Sequence, residues 1–575
     1  MKLPDFSILD FNGGLVTDKG NFQLNKNEFV NTLNLDFEEQ GRAKRRKGIK
    51  QFGDTISGSP TIDDSFFWVS SAASPASRHF VVTRAANGDF HRVQGTYNTV
   101  AIAVNATTIT VDDTSNFATS GNIEINGDLI AYTGVTATTF TGVTGILNAH
   151  VVFSSVTQIG AATALGVDTR QGVYFAVLNG NVYVQGRDGG VLFDGTNLTA
   201  VSDAQEPNAL FATTYRQRIM AVGVGANIQR VYYSDVGAIS ASAMWTTDND
   251  FLVEDDFGEM ITGLRVLNDV LYIFKFNSVF AYDEVQLRER MRGVGAWNHK
   301  SIQIINDLMY TFSPTGVWIT NGSSAKRISD PVKKYLKAFV PIWDSISATS
   351  ARVVQSCFSG QFEGKYYLYI GDLTIDGETL SDVVLVYDTV KKNWTVHNTY
   401  TNLTHFASLI GFHTEAFIPT EIPTLTESLF AGNSAGQYWR LFENRFRDEE
   451  STPTNRGGDL IANMISNNTG SAVSTILETK MYELGNPTVW KKIGYITAFV
   501  ESGEFQIAYK LDKGNKTTDW ISLGDFKDNI TNRALKDKEG YRIAFRITSN
   551  TANTISTFNG LVIRGIEGMP KITYG

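Results

Sequence analysis

The chain has a single cysteine, Cys357, among 575 residues. No intrachain disulfide and no multi-cysteine metal site can form, so packing alone must hold the fold. Cys357 lies in RVVQSCFSG among apolar residues, with no histidine nearby in sequence to lower its pKa. It reads as a buried structural thiol rather than a nucleophile. Histidines are also few, and no two lie closer than eight residues apart. That spacing excludes HExxH and every other pair set one helical turn apart. There is no GxSxG elbow and no Walker A loop. Asp248-Asn249-Asp250 lacks the downstream Gly and Glu of a calcium loop. No bound cofactor or metal is expected, and no enzymatic activity.

Long apolar runs are missing too. No segment approaches the ~20 apolar residues of a membrane-spanning helix. The N-terminal MKLPDFSILDFNGG carries Asp5 and Asp10 where a signal peptide needs an apolar stretch. The expectation is a soluble protein made in a cytoplasm. An excess of basic charge is likewise absent: the net charge is −9, which argues against a general nucleic-acid binder.

Aromatic residues and glycine are abundant. Aromatics make up 12% of the chain and glycine contributes 51 residues, a composition that favours strands and tight turns over helices. The length exceeds one ordinary core, so several domains or a large repeat fold are expected. From about 160 to 445 a loose unit recurs, as in NGNVYVQGRDGGVLFDGTN, NDVLYIFKFNSVFAYDE and NDLMYTFSPTGVWITNGSS. Each reads as strand, tight turn, strand, turn. Uneven spacing fits propeller blades with variable loops. GDFHRV (88–93) adds a further instance, and about five or six blades are expected.

Four segments fall outside that recurrence. Residues 97–156 are rich in Thr and nearly free of charge, with the hairpin signal Asn126-Gly127, and read as an inserted small β domain. SDPVKKYLKAF (329–339) is a helix candidate: Ser329 or Asp330 caps it, Pro331 opens it, and Val332, Tyr335, Leu336 and Phe339 share one face. A polar linker follows at 446–460. Beyond it, 461–575 shows the period-two alternation of a β-sandwich. Residues 1–96 are expected to hold an N-terminal hairpin and the first propeller strands, and 157–445 the blades. The fold class is therefore all-β: an irregular propeller with an insert and a C-terminal sandwich.

Two charged stretches stand out. GRAKRRKGIK (41–50) follows a strand in which Leu33, Leu35 and Phe37 alternate with polar residues. It reads first as a hairpin, with Asp36, Glu38 and Glu39 facing Arg42–Arg46 across the strands and a solvated or subunit-facing edge. A phosphate-contacting patch and a nuclear signal are the alternatives. VEDDFGE (253–259) gathers Glu254, Asp255, Asp256 and Glu259. A paired-carboxylate glycosidase needs two such acids a few ångströms apart, but a solvated acidic loop is the simpler reading.

The order FNGGL, then NEFVNTLNLDFEEQGRAKRRKGIKQF, resembles the opening of tail nozzle or tail hub proteins of short-tailed bacteriophages. The matching residues are Gly13, Gly14, Asn31, Asn34, Gly41, Lys44, Arg45, Arg46 and Gly48. Lys47 departs from the family pattern, where proline or a small residue is commoner. GNIEINGDLIAYTGVTATTFTGVTG with Ala149-His150 is similar to a small β module of phage tail and baseplate proteins, with Asp128 in place of the usual acid. Together the two motifs cover about 85 residues. The resemblance implies a structural virion protein, made in the bacterial host cytoplasm and placed in the tail. It would form a homo-oligomeric ring, a hexamer, that meets a tail adaptor ring and fibres or spikes. Phage genomic DNA would pass through without specific binding, and Glu254, Asp255, Asp256 and Glu259 are the candidate channel-lining acids. The alternatives are a glycan-binding or glycan-cleaving propeller of the tail, and a joining-ring protein of a long-tailed phage.

Overall fold

The computed structural model describes residues 2–569 apart from 70–77, 84–88, 160–162, 168–173, 255–257, 345–356, 399–401, 414–424, 449–470 and a few shorter stretches. The chain is all-β, with one α-helix among the described residues.

Among those residues, seven four-stranded antiparallel units recur. The first joins Asp64–Val69, Arg78–Thr83, Asp89–Tyr97 and Thr163–Val167. Five follow in chain order at 174–200, 209–252, 261–292, 303–327 and 358–398. The seventh takes Leu403–His413, Leu425–Asn433 and Tyr438–Glu443, and Gly48–Gln51 returns from near the N-terminus as its outer strand. The first strands touch in succession from the second unit to the fourth and from the fifth to the seventh, the fourth meets the 3-10 turn His299–Ser301 at the entry to the fifth, and the seventh touches the first. Lys300, at the entry to the fifth unit, reaches Asp64 of the first and the ring of Tyr174 in the second, which closes the circle. The units are the blades of a β-propeller.

A shared local device builds the blades. In the second to sixth, the first two strands are joined by two residues that both have positive φ: Asn179-Gly180, Arg216-Gln217, Asn268-Asp269, Asn306-Asp307 and Glu363-Gly364. That is the type I′ turn, which matches the right-handed twist of the strands it connects. The third blade was hidden in the sequence because its turn is Arg216-Gln217, with no Asn or Gly to signal it. Arg216 is held in this unfavourable conformation by ion pairs to Asp269 (2.6 Å) and Glu284 (2.9 Å) of the next blade. Seven blades thus replace the expected five or six.

The small domain grows from the first blade. Asp89–Tyr97 runs on beyond the blade and Ser155–Ile159 returns along it, with Tyr97 opposite Ser155. Ile125 stands opposite Asp128, so the two strands of the hairpin bracket Asn126-Gly127 as the sequence implied. Its core, including Ile109, Ile123, Ile130 and Phe140, lies wholly between 102 and 156.

The C-terminal unit has two sheets that share one long hairpin, Tyr495–Asp512 with Ile521–Ala534. The first half of Tyr495–Asp512 pairs Thr557–Arg564, and the second half pairs Arg542–Ser549. A register shift between Val500 and Glu504 marks the corner where the strand passes from one sheet to the other. The sandwich is not made by 461–575 alone. Phe6–Ile8 and the hairpin Leu35–Phe37/Ala43–Arg45 pair Thr557–Arg564, and Glu28–Leu33 pairs Thr475–Thr479. The division at residues 96 and 461 is therefore crossed by the N-terminal segment, which serves the sandwich first and the last blade second. Most of the expected linker 446–460 lies outside the described residues.

The expected helix is present as one 3-10 turn, Asp330–Val332, running into Lys333–Asp344. Val332, Tyr335, Leu336 and Phe339 are buried against the fifth and sixth blades, as the spacing required.

Candidate functional site: the N-terminal junction and the propeller centre

Strand Glu28–Leu33 lies between blade six and the sandwich, parallel to Asn393–Asn398 on one side and antiparallel to Thr475–Thr479 on the other. Blade and sandwich thereby become one continuous sheet. The family-like motif lies along this seam. A Cβ on Gly13 would sit 2.2 Å from the Asn27 carbonyl oxygen, and one on Gly14 2.8 Å from that of Trp394. Only glycine lets the chain pass between its neighbours here. Gly41, at φ 76°, turns the hairpin, Asn31 stands opposite Glu478, and Gly48 opens the closing strand opposite Glu443.

Asn34 ends the seam strand in a left-handed conformation, φ 55°. Its side-chain oxygen accepts from Arg46 Nε (2.9 Å) and from the Asn398 backbone N–H (2.9 Å). Its Nδ2 donates to Asn398 Oδ1 (2.5 Å) and to the Ser474 carbonyl (2.9 Å), 440 positions along the chain. One amide thus joins the N-terminal segment, blade six and the sandwich. Arg46 also donates to the carbonyls of Lys47 and Asn398 and lies over the Phe442 ring.

The basic run is therefore not the solvated edge that its charge suggested. Arg45 and Arg46 are each 1% exposed, and Arg45 donates to the Thr551 carbonyl of the sandwich. Arg42 and Lys44 do pair within the hairpin, both to Glu38 (2.7 and 3.0 Å). Asp36 stands opposite Lys44, but its carboxylate turns away to Lys365 of blade six at 2.7 Å. Burial alone would raise the Asp36 pKa; the Lys365 ammonium and neighbouring positive charge outweigh it and hold the carboxyl well below its usual range. Beside this pair His397 is buried, and burial pulls its pKa down to about 4 despite Asp36. Glu39 lies outside the described residues.

In the inserted domain, Asp128 and His150 of the second motif form a buried pair at 3.0 Å. Asp128 also receives the backbone N–H groups of Leu147 and Asn148. Burial pushes its carboxyl up, but the His150 and Asn148 hydrogen bonds outweigh that and lower it. This pair is a clasp between a hairpin and a loop.

The acidic loop connects the third and fourth blades. Glu254 is exposed, and Asp255 and Asp256 fall outside the described residues. Glu259 accepts from the Asn277 backbone (3.0 Å) and side chain (2.6 Å), so it braces a neighbouring turn.

Sequence reasoning missed the propeller centre. There Lys300 bonds Asp64 (2.9 Å), and the His299 ring packs between Phe211 (4.8 Å between centroids) and Tyr174 (5.3 Å). These residues stand at or near the starts of the blades' first strands, a shared position that shows only once the blades are aligned. Nearby, Ser65 Oγ lies 2.6 Å from His405 Nε2. That pair is buried, Tyr438 donates to the same Ser65 oxygen, and His405 Nδ1 faces the Thr404 hydroxyl rather than a carboxylate. It joins blades one and seven and lacks the orienting acid of a hydrolytic triad. Cys357 is buried, with its carbonyl bonded by Asn298. Among the described residues no group of three His, Cys, Asp or Glu is placed to hold a metal, and no helix is long and apolar enough to cross a membrane.

No known family and no curated protein matches the chain by sequence. Solved structures with a partial likeness include the Pan2 WD40 domain of Neurospora crassa, 10% identical, with TM-score 0.30, covering 61% of this chain and 91% of that one. The N-terminal domain of Nup159 is 10% identical, with TM-score 0.31, covering 72% and 99%. The exo-β-1,3-galactanase of Phanerochaete chrysosporium is 8% identical, with TM-score 0.23, covering 69% and 97%. At these scores the likeness adds nothing to the strand pairing described above.

Proposed function

We propose that the chain is a non-enzymatic structural protein of a bacteriophage tail, a nozzle or hub subunit of a ring through which DNA passes. The observation that supports this most is what the family-like motif builds. Gly13, Gly14, Asn34, Arg45 and Arg46 make a buried weld between propeller and sandwich, and Gly48 opens the strand that closes the propeller. A motif of this kind suits a part that must stay closed under load.

The DNA path in this reading lies between subunits. Within one subunit the Lys300–Asp64 bridge crosses the propeller's own centre from the fifth blade to the first. Ring formation uses heterologous contacts, one face of each subunit against the opposite face of the next. The inserted domain and the sandwich are the candidate contacts to neighbours, the adaptor ring and fibres. An acidic lumen formed by the 253–259 loop would repel phosphate and keep the duplex moving, whereas phosphate-neutralising contacts would hold it in a salt-dependent grip.

The test is light scattering on the purified chain, with and without the adaptor protein of the same particle, followed by class averages of stained particles. A closed ring with an open centre, and the 253–259 loop facing it, is the expected result. A compact trimer without a channel overturns the reading and makes glycan binding the first alternative to measure.

A further inference from the structure

The start of the helix carries charge of the wrong sign. No acid lies in the first turn of Lys333–Asp344; Lys333 and Lys334 stand there, at the end of a helix that disfavours positive charge. The acid of the preceding 3-10 turn, Asp330, is taken by Arg327 at 2.7 Å. Lys334 turns aside and pairs Asp376. Lys333 and Lys337 remain, one helical turn apart on the same face, where like charges repel. Both are exposed, and neither forms an ion pair among the described residues.

The two lysines line one cavity of about 150 Å³, set between the helix and the turn that joins Leu308–Ser313 to Gly316–Thr320. Arg327, Asp330 and Ser329 line it as well. Ser329, an expected helix cap, is 4% exposed, yet its hydroxyl caps nothing and has no other hydrogen-bond partner among the described residues. Buried hydroxyls are almost always bonded, so one left open marks a place for another atom. Gly316 keeps that place clear. A Cβ on it would sit 2.3 Å from the Ser329 hydroxyl oxygen and 3.4 Å from Arg327 Cδ. Hydroxyl and arginine side chain therefore border the same space. Three cations against one carboxylate surround it.

We propose that this cavity binds a phosphate group, with the Lys333 and Lys337 ammoniums at its mouth and the Ser329 hydroxyl donating from its wall beside Arg327. A water could satisfy Ser329 but would leave the two ammoniums repelling each other. A dianion between them answers both, and the start of a helix is a favourable place for negative charge. The site stands apart from the tail reading and survives or fails without it.

Calorimetric titration of the intact chain with sodium phosphate at constant ionic strength tests it. The expected result is a saturable one-site isotherm. Ser329→Ala should weaken the affinity by about tenfold, the loss of one hydrogen bond to a charged group. Its melting temperature without phosphate should not fall, because the hydroxyl bonds nothing in the chain. Lys333→Gln combined with Lys337→Gln should abolish binding. Lys334→Gln removes a charge from the same turn but from outside the cavity, and should bind as the natural chain does. A second titration with glycerol 3-phosphate separates the sources: tighter binding than the free ion assigns the site to a phosphate ester, equal or weaker binding to inorganic phosphate. The proposal is overturned if no saturable binding is seen with either ligand, or if Ser329→Ala keeps the full affinity. It is also overturned if Lys334→Gln loses binding as the double variant does, since the response would then follow net charge alone.

Discussion

The inserted domain and the C-terminal sandwich are both small, all-strand and well packed, yet they are assembled in opposite ways. Every core residue of the insert lies between Ile102 and Val156. The core of the sandwich draws Ile8, Phe11, Phe29, Leu35, Phe37 and Ala43 from the far end of the chain. One is built from sequence neighbours and can form as soon as it is made. The other waits for the last residues, since contacts across such separations bear a loop-closure cost before they stabilise anything. The lesson is that two cores of similar chemistry can differ completely in what they need from the rest of the chain.

Excision is the strongest way to break this comparison. Replacing 98–154 by Asn-Gly joins Tyr97 to Ser155, which already face each other across a hairpin. That chain should fold with its melting temperature shifted by only a few degrees. Deleting 1–46 removes six core residues and a seam strand from the sandwich, and no cooperative transition should remain. Circular dichroism and limited proteolysis of the two chains check both outcomes.

The next effect is at Asn34. Asn34→Ala leaves the Arg46 guanidinium and the Asn398 N–H without their shared acceptor, at a cost of about 3–4 kcal/mol. Hydrogen exchange should rise along both sides of the seam and stay unchanged in the insert. Protection lost only in the 28–34 strand would mean that the weld is not shared.

Acid should separate the two regions as well. His397 keeps its proton off until about pH 4, whereas the unfolded chain takes one up near 6.5. The unfolded state therefore binds more protons throughout that window, and stability falls as pH drops through it, by on the order of 3 kcal/mol from this group. Asp36, lowered in the folded state, adds a further loss as pH falls below the ordinary carboxylate range. His397→Gln should flatten the loss between pH 6.5 and 4, read from urea midpoints across that range. An unchanged slope would show that another group carries it.

The smallest of these effects is the clasp of the insert. Asp128→Asn keeps the shape but weakens the bonds to His150, Leu147 and Asn148, for about 2 kcal/mol. Faster hydrogen exchange should be confined to the insert, with the sandwich unmoved. Spread into the first blade would mean that the insert is less independent than its core suggests.

Much of the fold was legible because its signals are short. The Asn126-Gly127 hairpin, the Pro331 helix start and the two-residue turns of most blades each need only a few adjacent residues. The third blade escaped notice because Arg216-Gln217 holds a conformation that the flanking blade stabilises, and no local residue announces it. The junction was partly legible. Gly13, Gly14, Asn34, Arg45 and Arg46 were singled out, but the run's charge suggested solvent where the structure has a buried seam. Long polar side chains can be buried when carbonyls and amides from distant strands receive them, and those strands are invisible in a ten-residue window. The propeller centre gave no signal at all, since Asp64, Tyr174 and Lys300 are spread over more than 230 positions.

The sequence by itself determined the strand content, the helix, the self-contained insert and the reliance on packing in place of disulfides. These follow from composition, periodicity and turn residues, which act between near neighbours. Only the tertiary structure decided that seven blades close, that residues 48–51 complete the last of them, and that the N-terminus finishes the sandwich. Strand pairing selects partners by shape and burial across hundreds of residues, and an alternating strand carries no label for the edge it will meet.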